Sequence, residues 1–151
     1  MKKAFSETFT KPGRYYFGDI CYIMKEDLYY ELWGNTYNFD DGSFVVPSIG
    51  ERFAVGGTAY GDGSYLDFKR EKSYEVDAWV LGIVPESMWD KEKYSEKLNE
   101  YASFITLAEK ETLFFETDGD GAFCVTHISL KSVIGPQVIK EIIVDTSSED
   151  E

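Results

Sequence analysis

One histidine and two cysteines are all this chain offers for a Cys–His nucleophilic pair. His127 is the single histidine, Cys21 lies in the stretch GDICY, and Cys124 stands three residues before His127. A Cys–His pair works when thiol and base lie within hydrogen-bond reach and a third group orients the base. On a strand, Cys124 and His127 would face opposite sides, because their separation is odd. Cys21 with His127 and an aspartate is the catalytic alternative. The plainer expectation is that both cysteines are small buried hydrophobes. A zinc site needs about four Cys or His ligands, or three plus water, so carboxylates would have to complete it here.

Carboxylates are abundant, and three stretches repeat one pattern: DDGSF, GDGSY and GDGAF, ending at Phe44, Tyr65 and Phe123. Asp-Gly suits the positive φ angles of tight turns, and each following aromatic would start a strand. The chemical alternative is a hard-cation site. Asp118 and Asp120 have the D-x-D spacing of a calcium loop, with Gly121 at the sharp turn. Counted from Asp118, however, the twelfth position, where such a loop needs a bidentate Glu, is Ser129. Turns at three separate places are therefore expected, with no metal. The run Gly56 to Gly63 is glycine-rich, but it lacks the Lys-Ser or Lys-Thr of a phosphate loop, and Asp62 would repel phosphate. No cofactor is expected. A pair of acids could also run glycoside hydrolysis, but with 28 acids in the chain some pair is always close, so proximity selects nothing.

The charge balance points to a partner class. The chain has 151 residues and a formal net charge of −13. Residues 15–68 and 111–151 each hold nine acids against two bases, a net −7 apiece, and the only arginines are Arg14, Arg52 and Arg70. Direct nucleic-acid binding needs basic surface that displaces counterions, so it is not expected. The field would attract a basic protein. The acids expected to meet it are Glu92, Glu96 and Glu100, which recur every four residues, Asp118 and Asp120 at the last Asp-Gly turn, and Glu149, Asp150 and Glu151 in the tail. No apolar run nears the roughly 18 residues that span a bilayer. The stretch MKKAFSETF lacks the apolar core of a secretory signal. A cytoplasmic protein with reduced thiols is expected.

The elements that would position these groups follow from periodicity. Met24, Leu28, Leu32 and Trp33 have helical spacing, with Gly34 as a C-terminal cap, which predicts a short helix over about 25–33. Tyr94, Leu98, Tyr101, Ala102 and Ile105 form a second stripe, which predicts the main helix over about 87–108 with Ser87 as its N-cap. Strand-like runs cover 43–47, 52–60, 64–68, 74–84, 112–116, 122–129 and 138–144. The expected class is α+β: a mostly antiparallel, curled sheet, barrel- or sandwich-like, carrying one main helix. Residues 1–145 are expected to form one domain and 146–151 an acidic tail that frays.

Three segments, Tyr15 to Tyr22 (Y-x-x-G-D-x-C-Y), Gly57 to Tyr65 (G-T-A-x-G-D-G-x-Y) and Val76 to Ala78 (V-D-A), resemble a family of small proteins from phages, mobile elements and bacteria. The resemblance brings no activity or catalytic set; it implies a phage or mobile-element setting. Phage proteins that inhibit host nucleases and immunity proteins that neutralise nuclease toxins tend to be small and acidic, their carboxylates filling a cleft built for phosphates. The expected function is therefore non-catalytic: an acidic inhibitor of a basic, nucleic-acid-handling protein, of anti-defence or immunity type. The alternatives are a small Cys/His or carboxylate hydrolase, and a structural or regulatory module.

Overall fold

Tyr15 and Phe17 point to one side of their strand and Tyr16 to the other, and all three are buried. A strand covered on both faces lies inside a layered structure. The computed structural model, which describes residues 5–58, 61–118 and 127–146, has three layers. The strands are β1 (Phe5–Phe9), β2 (Gly13–Gly18), β3 (Gly42–Val46), β4 (Glu51–Gly57), β5 (Gly63–Leu66), β6 (Ser73–Val76), β7 (Val80–Pro85), β8 (Ser103–Leu107), β9 (Thr112–Asp118), β10 (His127–Ile134) and β11 (Gln137–Asp145). One sheet runs β1-β9-β10-β11, a second β3-β4-β7-β2-β8, and β5 and β6 form a separate ribbon. Every strand pair is antiparallel. The sheets do not close into a barrel; they pack face to face as a sandwich.

Two cores result. Between the sheets lie Phe17, Tyr74, Leu81, Ile83, Ile105, Phe115, Ile128 and Val144 among others. On the outer face of the five-stranded sheet lie Tyr16, Ile20, Trp33, Phe53, Val55, Val80, Val84 and Ala102. The central strand β7 feeds both, Leu81 and Ile83 inward and Val80 and Val84 outward. That is why VLGIVP reads as an unbroken apolar run. The third layer, over the outer core, is helix α1 (Asp27–Thr36) together with single 3₁₀ turns at Ile20–Tyr22, Glu86–Met88 and Glu96–Glu100.

The mostly antiparallel α+β expectation holds, but the main helix is elsewhere. The short helix expected at 25–33 is α1, wound as a π-helix and shifted a few residues on. Gly34 lies inside it, not beyond its end. The helix expected over 87–108 is absent: that segment holds two 3₁₀ turns and then β8. The physical reasons are local and tertiary. Phe104, Ile105 and Thr106 are strand-favouring residues, and residues 103–107 alternate buried and open positions beside β2. Upstream, Lys25 N–H donates to the Met88 carbonyl and Asp90 N–H to that of Ile23, so the backbone pairs across the chain and not along itself. Tyr94 stacks on Trp89, ring centres 5.5 Å apart, with the Arg14 guanidinium 4.8 and 5.2 Å from the two rings. Four members of the apolar stripe, Tyr94, Leu98, Tyr101 and Ala102, pack on the outer face of the sheet without a helix, while Ile105 points from β8 into the core between the sheets.

Among the described residues no helix is long and apolar enough to cross a membrane.

Candidate functional site

The GDICY stretch ends β2, and its aspartate does not face solvent. Asp19 is fully buried. Its Oδ1 accepts from Cys21 N–H at 3.0 Å, and its Oδ2 accepts from Asp77 and Ala78 N–H at 2.6 Å each. Burial pushes its carboxyl above the ordinary value, while the three N–H donors pull the other way. The Tyr16 hydroxyl donates to the Asp19 carbonyl at 2.7 Å, and the Tyr22 hydroxyl donates to Asp77 Oδ2. Asp19 thus clamps the turn between β6 and β7 onto the end of β2.

That turn carries Trp79. Its φ is +66°, a conformation that costs a bulky residue on the order of 1–3 kcal/mol and persists only where neighbours impose it. The neighbours are explicit. Asp19 holds the two residues before it. On its other side, Thr58 N–H donates to the Trp79 carbonyl at 2.9 Å. Gly61, at φ +76°, lies under the ring, where a Cβ would sit 3.3 Å from the indole carbons. The segments Tyr15 to Tyr22, Gly57 to Tyr65 and Val76 to Ala78 therefore meet around one residue, Trp79, which is 64% exposed.

Trp79 forms one wall of a cleft of about 760 Å³, which is also lined by Tyr29 and Trp33 of α1, Phe39, and the Asp40-Asp41-Gly42 turn. Phe39 is half exposed at φ +55°, next to Asn38 at +57°. Its ring stands 5.0 Å from that of Trp33 and perpendicular to it, and Trp33 Nε1–H donates to the Asp40 carbonyl at 2.9 Å. Asp41 Oδ2 accepts from Gly57 N–H at 3.0 Å, which fixes that carboxylate. Thus α1, the Phe39 turn and the Trp79 turn bring a π-helix and three left-handed non-glycine residues to one concavity, a clustering typical of functional sites. No Lys or Arg lines it.

The first two Asp-Gly motifs meet here. They are not tight hairpins but entries to β3 and β5: Asp41 lines the cleft, and Gly61 seats its tryptophan. The expectation of unrelated turns is corrected to that extent. The third motif, Gly119 to Phe123, lies outside the described residues; Asp118 just before it ends β9. Asp120, Glu149, Asp150, Glu151 and Cys124 also lie outside them. Among the described residues no group of three His, Cys, Asp or Glu is placed to hold a metal ion.

The structure does not bring Cys21 and His127 together. His127 begins β10 in the four-stranded sheet, paired with Asp118 and Asp145, its ring 4.9 Å from Phe68. Cys21 stands in the third layer, on the far face of the other sheet. Burial, and then the Asp19 charge, push its thiol well above the ordinary range, which suppresses the thiolate that would attack. Glu92, Glu96 and Glu100 are all exposed, but they form no helical stripe. Glu92 lies in a turn, its N–H donating to Asp90 Oδ1 at 2.9 Å, and Glu96 and Glu100 bound one 3₁₀ turn. The neighbouring Lys93 pairs with Glu26 at 3.0 Å and donates to the Met24 carbonyl at 2.8 Å.

Sequence reasoning missed Trp79, Phe39, Asp40 and Asp41. A signal was present: Trp79 directly follows one recognisable segment and sits at the register of buried Leu81 and Ile83, so an unbroken strand would have buried it. No family model, no curated protein and no solved structure matches the chain.

Proposed function

We propose that this protein works by binding and not by turnover: it is an acidic inhibitor of a basic, nucleic-acid-handling protein, in a cytoplasmic phage or mobile-element setting of anti-defence or immunity type. The observation that carries this reading is the cleft. It combines exposed Trp79 and Phe39, the residue types that anchor interfaces, with Asp40 and Asp41 and no lining cation. Around it the chain carries a net −13. Aromatic anchors supply affinity, and the acids steer a cationic partner and fix its register. Glu92, Glu96 and Glu100 contribute to steering, as exposed charges do, over about 8 Å at physiological ionic strength.

The test compares two variants in one assay, binding of the partner captured from a bacterial lysate at low salt and lost at high salt. Glu92→Lys/Glu96→Lys/Glu100→Lys is expected to slow association more than it speeds dissociation. Cys21→Ser/His127→Ala is expected to leave binding and any biological effect intact. Loss of effect only in the second, with both variants folded, would assign the function to Cys/His chemistry instead.

A further inference from the structure

We infer that the Trp79–Phe39 cleft is a receptor for a single arginine side chain presented by the basic partner. This inference rests on the binding reading above and adds which group is recognised and where. An arginine guanidinium is planar, stacks on aromatic faces and takes a carboxylate through two parallel N–H bonds. Each of these demands has a counterpart in the cleft. Trp79 offers an indole that is mostly open to solvent, and Phe39 a half-open ring. The indole is the best aromatic surface for a cation. Asp41 is tethered by Gly57 N–H, so its carboxylate is pre-positioned and loses little freedom on binding. Asp40 is exposed and its backbone carbonyl is held by Trp33 Nε1–H, which leaves its side chain able to close on the guest. A volume of about 760 Å³ admits a whole arginine side chain with its backbone at the mouth.

Charge selects the occupant. With two carboxylates and no Lys or Arg in the lining, an acidic or phosphorylated guest is repelled. A neutral sugar could stack on Trp79 but would leave both carboxylates without a counter-charge. A lysine ammonium can meet the acids, but as a compact, strongly hydrated charge it cannot use the two rings and the carboxylate in one plane. Phe39 and Trp79, both at positive φ, present their rings to solvent at the cleft.

The experiment uses the full chain and needs no partner. The probe is the peptide acetyl-Gly-Arg-Gly-amide, with citrulline and lysine versions as controls, titrated while the indole N–H signals of the three tryptophans are followed by NMR. Expected is saturable movement of the Trp79 signal with arginine, at least about tenfold weaker binding with lysine, and none with citrulline, which has the shape without the charge. Trp79→Ala and Asp41→Asn should each weaken arginine binding about tenfold or more; urea unfolding verifies that each is folded. Asp40→Asn, at an exposed position, provides a variant that leaves the fold unaffected. Equal binding of citrulline, saturable binding of methyl glucoside in place of arginine, or saturation that moves signals away from Trp79 would each overturn the assignment. So would full arginine binding by both folded Asp→Asn variants. Because the probe carries no partner surface, these results refute the arginine receptor alone. Loss of the biological effect only in folded Cys21→Ser/His127→Ala, with partner binding retained, refutes the binding reading separately.

Discussion

Replacing Asp19 tests whether a buried carboxylate governs the exposed cleft. In Asp19→Ala, three backbone N–H groups, those of Cys21, Asp77 and Ala78, lose their acceptor at once. At about 1 kcal/mol net for each hydrogen bond, the fold should lose about 3 kcal/mol, or roughly 6–12 °C in melting temperature for a chain of this size. Asp19→Asn retains one carbonyl oxygen but turns an amide NH₂ toward an N–H donor, so it should fall between wild type and alanine. Urea unfolding gives the free energies; arginine-peptide binding gives the second readout, since releasing Asp77 and Ala78 should unseat Trp79 and weaken binding. The pH dependence has a definite sign. Burial holds the Asp19 carboxyl above its ordinary value in the folded protein. A group raised in this way contributes stability that is complete below the unfolded value, about 4 for Asp, and is lost as pH rises through the folded value. The margin of wild type over Asp19→Asn should therefore shrink as pH rises above about 4. A margin that grew with pH would show that the three N–H donors outweigh burial. A loss well under about 1 kcal/mol in the alanine variant, with binding intact, would refute the clamp itself.

Two further outcomes are expected. In a Cys124→Ser background, alkylation of Cys21 by iodoacetamide at pH 8 should be more than about tenfold slower in the folded than in the urea-unfolded protein, because burial and Asp19 suppress its thiolate; equal rates would contradict that environment. Gly82→Ala should destabilise by about 3 kcal/mol or prevent folding, since the new Cβ would stand 2.6 Å from the Ala54 carbonyl oxygen and 2.7 Å from Ile20 Cγ2, and an unchanged urea midpoint would show that β4 and β7 can separate at no cost.

The sequence by itself determined the class of this protein. Alternating and continuous apolar runs dictate strands of that length wherever they occur, so 43–47, 52–60 and 138–144 were legible to within a few residues of β3, β4 and β11. The charge imbalance was equally plain, being a property of composition. What the sequence could not decide was which of two periodicities wins when both fit. Tyr94, Leu98 and Ala102 suit a helix, but Phe104, Ile105 and Leu107 suit a strand, and the open edge of β2 settled the matter by offering backbone partners. The cleft was hidden for a related reason. Residues 74–84 read as one strand, which would bury Trp79 beside Leu81. Only the folded chain brings Asp19, fifty-eight residues before Asp77, against the turn that breaks that strand. The positive φ of Trp79 is imposed by contacts distant in sequence, among them Thr58 and Gly61, and no local propensity encodes it. The motifs were visible as words; their meeting at one exposed indole is a product of tertiary structure.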